Sequence, residues 1–335
     1  MMKLADWLQR RWYEPRPPMG LVPLSRLFCG AVAVRRMAYR HGWKQSAQLP
    51  VPVIVVGNLT VGGTGKTPLT IWLAEFLTQA GYKPGIISRG YGGRKLTHPL
   101  AVNATSDPAE MGDEPVLLAQ RTGCPVYVFP LRAEAGRKLL ADTDCDIIIA
   151  DDGLQHYALA RDVEIAVVDG ERRFGNGECL PAGPLREPPE RLDSVDLVVS
   201  RGKAQNNEFL LTLTLGDAVN LAEATLRKPL TEFIGNQRLY AVAGIGHPGG
   251  FFADLRQTGL SFEEHAFPDH YQFTAEDLNF GEDATVLMTE KDAVKCRGFA
   301  SERFWTVPLV GAMPPAFGVT LLQLLKAKHD GQKTA

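Results

Sequence analysis

A glycine-rich segment in the first quarter of the chain carries the residue types that bind phosphate. Residues 57–68 read G-N-L-T-V-G-G-T-G-K-T-P. Glycines let backbone N–H groups turn toward phosphate oxygens, Lys66 can reach β- and γ-phosphates, and Thr67 can ligate Mg²⁺. These properties predict a site for a nucleotide with Mg²⁺, built from the loop residues Thr60, Val61, Gly62, Gly63, Thr64, Gly65, Lys66 and Thr67.

The loop departs from the pattern G-x-x-x-x-G-K-[ST] at one position, because Thr60 stands where the first glycine is expected. A glycine-rich turn that binds nothing is the alternative. A predicted strand at Val51–Val56 and a predicted helix at Pro68–Ala80 flank the loop. They favour phosphate binding, because the motif requires that context.

Paired aspartates, Asp151 and Asp152, follow the apolar run Ile147–Ala150. A carboxylate at the C-terminal end of a parallel strand faces the ligand crevice. Mg²⁺ prefers hard oxygen ligands and keeps several waters, so one carboxylate, Thr67 and phosphate oxygens would suffice. A solvated turn or a helix cap is the alternative for the pair. The metal ligands predicted from the sequence are Thr67 with Asp151, Asp152 or both.

The elements that would hold these residues alternate as in an α/β protein. The pattern predicts a mostly parallel sheet with helices on both faces. Further strands are expected at Gly85–Ser88, Val126–Phe129, Ile147–Ala150, Ile165–Val168 and Leu197–Ser200, and helices at Pro115–Arg121 and Arg132–Leu140.

The pattern changes after about residue 205, where Glu208–Leu215 alternates like a strand exposed on one face. A second α/β pattern follows, with strands at Leu239–Ala243, Thr285–Met288 and Trp305–Leu309 and a helix at 248–259. We therefore predict three parts: an N-terminal segment at 1–44, a core at 45–210 and a smaller C-terminal α/β domain at 211–335.

Composition excludes several classes of protein. The 335 residues include 36 Lys plus Arg and 38 Asp plus Glu, a net charge of −2, which argues against a strongly basic nucleic-acid binder. The hydrophobic fraction is 45% and the charged fraction 22%, as in ordinary globular proteins. Five cysteines without a C-x-x-C predict reduced thiols in a cytosolic compartment and neither a disulfide framework nor a zinc site.

The first 44 residues differ from the rest in charge. They hold nine basic and two acidic residues, 9 − 2 = +7. On a helical wheel, Leu24–Arg40 has a broad apolar arc opposite Arg26, Arg36 and Arg40, and Arg35 interrupts the pattern. Such a helix suits the headgroup region of an anionic membrane, and a helix packed on the protein's own core is the alternative. No uninterrupted apolar run reaches the length of about 18 residues that a spanning helix needs.

Several segments in order resemble the tetraacyldisaccharide 4'-kinase family of lipid A biosynthesis. They are residues 56–68, S-R-G-Y-G-G at 88–93, G-D-E-P at 112–115, D-D-G-L-Q-H at 151–156, F-G-N-G-E-C-L-P-A-G-P-L-R-E at 174–187, G-I-G-H-P at 244–248, D-H at 269–270 and M-T-E-K-D-A-V-K at 288–295. In that family threonine is usual at the position of Thr60. The resemblance runs from about Trp7 past residue 300.

The resemblance implies a P-loop kinase core, a smaller C-terminal α/β domain and a site between them. It implies transfer of the γ-phosphate of ATP, with Mg²⁺, to the 4'-hydroxyl of a tetraacyldisaccharide 1-phosphate. This acceptor is an acylated glycolipid precursor of the Gram-negative outer membrane. The expected location is peripheral, on the cytoplasmic face of the inner membrane, with no nucleic acid and no obligate protein partner.

The resemblance also assigns residue roles. Asp113 matches the proposed base and His270 its supporting histidine, while Lys66 acts on the phosphates. From the residues alone, the favoured interpretation of Asp113 is the N-cap of a helix near Pro115, and that of His270 is a surface loop residue. His247, in a glycine-rich turn, competes with His270.

Further site residues follow from the same segments with their roles less defined. Glu114 would bind substrate or metal, and Gln155 and His156 would bind nucleotide, substrate or a metal-bound water. Arg186 would hold phosphate unless it forms a surface ion pair, and Glu187 follows it in the loop 175–189. Arg89 lies in a glycine-rich loop that could cover the site. The predicted substrate-binding residues are thus Arg89, Glu114, Gln155, His156, Arg186 and Glu187.

Other functions remain compatible with the sequence. A P-loop nucleotide switch would hydrolyse nucleotide slowly and act on a partner protein, but for GTP it would need an N-K-x-D box, which the chain lacks. A soluble small-molecule kinase or ligase is a second alternative, and the basic amphipathic start argues against it. A membrane-tethered nucleotide-binding module is the non-catalytic alternative.

Overall fold

The computed structural model describes residues 4–333. Nine α-helices are formed in this range: α1 (Leu4–Arg11), α2 (Val22–Arg40), α3 (Lys66–Gln79), α4 (Pro108–Met111), α5 (Asp113–Thr122), α6 (Arg132–Asp142), α7 (Pro248–Gln257), α8 (Glu290–Cys296) and α9 (Pro315–Lys333). None of them combines the length and apolar character that a bilayer-crossing segment requires.

The larger sheet has nine strands in the order β15-β8-β7-β6-β1-β5-β2-β4-β3. All neighbours run parallel except at the two edges, where β3 and β15 are antiparallel. The strands are β1 (Val53–Gly57), β2 (Pro84–Ser88), β3 (Leu100–Val102), β4 (Val126–Val128), β5 (Ile147–Ala150), β6 (Val163–Asp169), β7 (Leu197–Arg201), β8 (Phe209–Leu215) and β15 (Leu309–Ala312). The central strands β1, β2, β4 and β5 are fully buried, because helices cover both faces. The predicted α/β class with a mostly parallel sheet is confirmed.

A second sheet of six strands lies in the C-terminal half, in the order β10-β9-β14-β13-β11-β12. Its strands are β9 (Ala218–Asn220), β10 (Arg227–Lys228), β11 (Leu239–Ala243), β12 (Glu263–Ala266), β13 (Thr285–Thr289) and β14 (Phe304–Val307). The last four are parallel to one another, as expected for a second α/β unit.

In the C-terminal half, strands that follow one another along the chain belong to different sheets. The expected single strand at Trp305–Leu309 is wrong, because the chain bends at Pro308 and forms β14 in the smaller sheet and β15 in the larger one. β8 continues across the expected division at residue 210, and α9 packs Phe317, Leu321 and Leu325 into the core beneath α3. The division at 210 therefore stays a prediction about folding units.

The N-terminal segment docks on the long loop 174–187. Ser25 of α2 is buried and donates a hydrogen bond from Oγ to the Cys179 carbonyl (2.7 Å), and the Trp12 indole donates to the Pro181 carbonyl (2.9 Å). Cys29 and Cys179 form a disulfide with Cα atoms 6.3 Å apart. The expectation of five free thiols is thus wrong for this pair, because a separation of 150 residues along the chain conceals the contact made when α2 docks.

Candidate active site

The phosphate loop connects β1 to α3 through backbone that only glycine adopts easily. Gly62 and Gly65 have φ values of 108° and 97°, and Gly65 is the N-cap residue of α3. A side chain on Gly57 would overlap Leu154, since an added Cβ would lie 2.5 Å from Leu154 Cβ. The N-terminus of α3 therefore points its unpaired N–H groups into the loop, an arrangement that favours anions.

Hydrogen bonds fasten the loop to residues 184–186. The Val61 N–H donates to the Pro184 carbonyl (2.8 Å) and the Arg186 N–H donates to the Leu59 carbonyl (2.6 Å). Thr60 is buried and pairs with Leu185 in an isolated β-bridge. Thr64 Oγ1 is buried and finds no hydrogen-bond partner among the described residues, so this hydroxyl is available to a ligand in the loop.

Lys66 and the paired aspartates meet at the C-terminal end of β5. Lys66 Nζ lies 3.4 Å from Asp152 Oδ1 and donates to Asn58 Oδ1 at 3.2 Å. Asp152 also accepts from Arg186 Nη1 at 3.0 Å. Burial raises the pKa of Asp152, but the charges of Lys66 and Arg186 outweigh it and the net pKa is lowered. Asp152 is thus a carboxylate shared by two cations.

Asp151 has the opposite environment. It is 1% exposed and accepts from Thr70 Oγ1 at 3.1 Å. Burial and the nearby charges of Glu114 and Asp152 raise the pKa of Asp151 to about 7. The charge of Lys66 and the hydrogen bond from Thr70 offset only part of this rise. A buried carboxylate with other carboxylates beside it is an environment that a divalent cation would complete.

The donor set fits Mg²⁺. Thr67 stands in the first turn of α3, and Asp151 and Asp152 supply hard oxygen atoms at the adjacent strand end. Within residues 4–333 no group of three or more His, Cys, Asp or Glu side chains is placed to hold a metal ion by itself. Mg²⁺ does not need one, because it is usually held by one or two carboxylates together with water and substrate phosphates.

Asp113 begins α5 and is buried at 1% exposure. Gly112 is the N-cap residue and the Asp113 side chain does not cap the helix, so the cap alternative does not apply. Asp113 Oδ2 lies 3.0 Å from Nδ1 of His270. Burial raises the pKa of this carboxyl, yet the hydrogen bond from His270 and the charge of Lys295 lower it overall. Asp113 is therefore ionised at neutral pH and accepts the Nδ1–H.

Glu114 and the loop 88–93 lie beside the Asp113–His270 pair. Glu114 accepts from Lys291 Nζ at 3.3 Å, and Lys291 also lies 3.6 Å from Asp269. The Tyr91 ring stands 5.4 Å from the His270 ring, which places the loop 88–93 next to the histidine. Arg89 is exposed and lines a cavity of about 240 Å³ with Tyr91 and other loop residues.

Gln155 connects the phosphate loop to the loop that ends in Glu187. Its Nε2 donates to the Asn58 carbonyl (3.0 Å) and to Glu187 Oε1 (2.9 Å), while its Oε1 lies 3.4 Å from Arg186 Nη1. Glu187 is 1% exposed and its other oxygen accepts from the Tyr157 hydroxyl. Glu187 thus holds Gln155 from within the core and does not face solvent.

His156 is partly buried beside arginines. Burial and the charges of Arg132 and Arg161 lower the pKa of His156 to about 4, so the imidazole is neutral near pH 7. A neutral imidazole can donate through one nitrogen and accept through the other. This property suits a ligand contact better than phosphate neutralisation.

The structure brings together most of the predicted site residues but separates His247 from Asp113. His247 precedes α7, and its pKa is lowered by burial and by the charges of Arg172 and Arg201. The Arg201 side chain packs on Gly65 of the phosphate loop. His247 therefore belongs to the surroundings of that loop, while His270 is the histidine in contact with Asp113.

Three buried residues of the site were missed by sequence reasoning. The Asn58 side-chain oxygen accepts a hydrogen bond from Lys66 Nζ. Arg132 donates to the Asp151 carbonyl (3.4 Å), and Lys295 Nζ lies 3.9 Å from Asp113 Oδ2. Asn58 and Lys295 lie within the segments 56–68 and 288–295 that carry the family resemblance, but nothing in those segments indicates which side chains they contact. Arg132 begins a helix, and only its burial at 3% exposure sets it apart from a surface arginine.

Comparisons with known proteins agree with this geometry. A family model described as tetraacyldisaccharide-1-P 4'-kinase matches residues 18–326. Proteins named tetraacyldisaccharide 4'-kinase from Nitrosococcus oceani and Methylobacillus flagellatus are 54% and 51% identical to this chain. The alignments cover 97% and 96% of this chain and 96% of each relative.

A solved structure is similar over nearly the whole fold. It is the crystal structure of LpxK from Aquifex aeolicus in complex with ATP, with a TM-score of 0.78 and 28% sequence identity. The match covers 92% of this chain and 99% of that one.

Proposed function

This chain belongs to the tetraacyldisaccharide-1-P 4'-kinase family, and we propose that Asp113 and His270 act on its acceptor hydroxyl while Lys66 acts on the ATP phosphates. The protein is an ATP-dependent kinase of lipid A synthesis that phosphorylates the 4'-hydroxyl of a tetraacyldisaccharide 1-phosphate. The observation that carries the residue assignment is the 3.0 Å contact between Asp113 Oδ2 and His270 Nδ1.

The acceptor side of the mechanism follows from the Asp113 carboxylate. Phosphoryl transfer needs a hydroxyl held in line and a group that takes its proton as the new bond forms. His270 and Lys295 both approach Oδ2 of Asp113, so we assign Oδ1 to the acceptor hydroxyl. His270 orients the carboxylate and stabilises its ionised form.

The donor side follows from the loop. The N–H groups at the start of α3 and the Lys66 ammonium offset the negative charge of the phosphates, and Asp152 holds Lys66 in position. Thr67, Asp151 and Asp152 would hold Mg²⁺, which supplies charge neutralisation at the β- and γ-oxygens when bound. Arg186 pairs with Asp152 and lies on the same side of the loop, where it would contact the transferred group.

The acceptor is amphiphilic, and the N-terminal segment suits a membrane surface. Leu24, Leu27 and Val34 of α2 are 52%, 71% and 63% exposed, and arginines stand among them. Apolar side chains that stay in water on a basic helix match the boundary of an anionic bilayer. We assign the protein to a peripheral position on the cytoplasmic face of the inner membrane, without an obligate protein partner and without nucleic acid.

The proposal is tested by measuring ATP consumption with four substrate sets. Purified protein is given ATP with the tetraacylated disaccharide 1-phosphate, with a deacylated soluble disaccharide, with no acceptor, and with GTP replacing ATP. We expect fast turnover only with ATP and the acylated acceptor, and mass spectrometry should show one added phosphate. Acceptor-independent hydrolysis at the same rate would favour the nucleotide-switch alternative. Full activity on the soluble sugar would contradict the membrane assignment.

A further inference from the structure

Lys295 in α8 is a buried cation between two carboxylates from different helices, Asp113 of α5 and Asp292 of α8 itself. Its side chain is 1% exposed, and Nζ lies 2.8 Å from Asp292 Oδ1 and 3.9 Å from Asp113 Oδ2. The Phe273 ring closes the space beneath the ammonium, with its centroid 5.0 Å away. A lysine is rarely buried to this degree unless it is paired, so the site holds it for its charge.

Asp292 fixes the position of this ammonium. It is fully buried, and its Oδ2 accepts from the Gly244 N–H (2.9 Å) and from Thr289 Oγ1 (2.6 Å). The remaining oxygen, Oδ1, is the one that receives Lys295. With three donors on one carboxylate, the ammonium has a single well-defined place at the contact between α5 and α8.

We propose that Lys295, held by Asp292, is a positioning residue for phosphoryl transfer that keeps Oδ2 of Asp113 turned away from the acceptor hydroxyl. The inference rests on the proposed function, because it takes Asp113 as the base. At 3.9 Å the ammonium attracts Oδ2 without a direct hydrogen bond, so Asp113 stays oriented yet can still accept a proton. His270 contacts the same oxygen, and the two donors together fix the carboxylate plane.

The charges around Asp113 show why a second cation is needed. The groups that face it are Glu114 from α5, Lys291, Asp292 and Lys295 from α8, and Asp269 and His270 from the loop after β12. Four of these residues, counting Asp113 itself, are carboxylates, and two are lysines. Lys291 pairs with Glu114 and Asp269 at the partly exposed edge, which leaves Lys295 as the cation shared by the buried pair Asp113 and Asp292.

A structural ion pair between two halves of the chain is the competing explanation, and a double-mutant cycle separates the two. Lys295→Met keeps the volume and removes the charge, and we expect kcat to fall about 10- to 100-fold with the KM for ATP within about twofold. In an Asp113→Asn background the same substitution should reduce kcat by less than about twofold, because its effect acts through the carboxylate. A merely structural role would lower both backgrounds equally.

Controls keep the test decisive if Lys295→Met folds poorly. Asp292→Asn leaves Lys295 in place but removes its partner, and it should lower kcat in the wild-type background and not in the Asp113→Asn background. Arg121→Met breaks the ion pair with Glu290 across the same α5–α8 contact, away from Asp113, and should lower the thermal midpoint with kcat within about twofold.

The outcomes distinguish this inference from the proposed function. An unchanged kcat for Lys295→Met, or a loss of equal size in both backgrounds, overturns the positioning role of Lys295 while leaving Asp113 as the base. A wild-type rate for Asp113→Asn overturns the base itself, and with it the inference. Non-additive losses in both the Lys295 and the Asp292 cycles support it.

Discussion

The three carboxylates of the site have the same chemistry and different charge states at neutral pH. Burial raises the pKa of each one. Asp113 and Asp152 are returned to the ionised form by His270 and by Lys66, respectively. For Asp151, burial and the charges of Glu114 and Asp152 outweigh the opposing effects of Lys66 and Thr70, and its pKa rises to about 7. The balance of burial, neighbouring carboxylates and neighbouring cations sets the difference in charge state, so each carboxylate can serve a separate step.

The base assignment predicts a specific kinetic loss at Asp113. Asp113→Asn keeps the shape of the side chain and the contact with His270 but cannot take a proton. We expect kcat to fall by on the order of 10² or more, as removal of a general base does. ATP binding, measured by the thermal shift that the nucleotide produces, should stay unchanged. Normal turnover of this variant would exclude Asp113 as the base.

His156 predicts a pH dependence of stability. Its pKa is about 4 in the folded protein, by burial and nearby arginines, against about 6.5 in an unfolded chain. Between these values the unfolded chain binds a proton that the folded one does not, so stability falls as pH drops from 6.5 toward 4. His156→Gln should remove up to about 1.4 kcal/mol per pH unit of that slope.

The measurement is the thermal midpoint of both proteins at several pH values between 4.5 and 7.5. His98 is exposed and its Nδ1 is hydrogen-bonded to the neighbouring Thr97 hydroxyl, so His98→Gln is the matched control and should leave the slope as in the wild type. Equal slopes for wild type and His156→Gln would show that His156 is protonated freely in the folded state.

Among the elements, α2 joins an exposed surface of the molecule to the loop 174–187, which borders the phosphate loop. One face carries exposed Leu24 and Leu27, and the other is joined to the loop 174–187 through Ser25 and the Cys29–Cys179 disulfide. The same loop contains Arg186, whose backbone N–H donates to the Leu59 carbonyl at the start of the phosphate loop. The helix that we propose to lie at the membrane surface is thereby joined to the phosphate loop through the loop 174–187.

The exposed apolar face of α2 predicts that polar substitutions on it will weaken membrane binding by a measurable amount. Leu24→Asn with Leu27→Asn removes apolar surface that already lies in water, so the fold should be unaffected. Burial of one leucine in a bilayer is worth about 1.5–3 kcal/mol, so vesicle partitioning should fall at least about tenfold. Sedimentation with anionic phospholipid vesicles measures it. Val319 of α9 is 56% exposed, and Val319→Asn serves as the control that should partition like wild type.

At the scale of the whole molecule, the sequence predicts what depends on neighbouring residues and misses what depends on long-range contact. Periodicity located the central strands to within about two residues, and the loop motif located Lys66 beside the paired aspartates. The contact of Cys29 with Cys179, the burial of Lys295 and the separation of β14 from β15 arise only when distant segments pack. The pairing of His270 with Asp113 was predicted only from the family resemblance, because 157 residues separate the two along the chain.

Helix α9 packs into the core of the larger sheet. We therefore expect the stability of the unit that contains this sheet and the phosphate loop, called here the phosphate-binding unit, to depend on α9. Phe317 is fully buried, with its ring 5.5 Å from Trp72 of α3 and 5.2 Å from Phe209 of β8. Phe317→Ala should cost about 3–5 kcal/mol, because a buried aromatic ring leaves a cavity. Val319→Ala, on the exposed face of the same helix, should change stability by less than about 0.5 kcal/mol.

Thermal unfolding with and without ATP and Mg²⁺ identifies which unit loses stability. The transition that nucleotide raises belongs to the phosphate-binding unit. Because α3 begins at the phosphate loop and packs on Phe317, we expect Phe317→Ala to lower that transition. If residues 211–335 were instead an independent unit, as the expected division at residue 210 implies, the substitution would lower only a transition that nucleotide does not shift. Loss of the nucleotide-sensitive transition would show that the two ends of the chain fold together around the larger sheet.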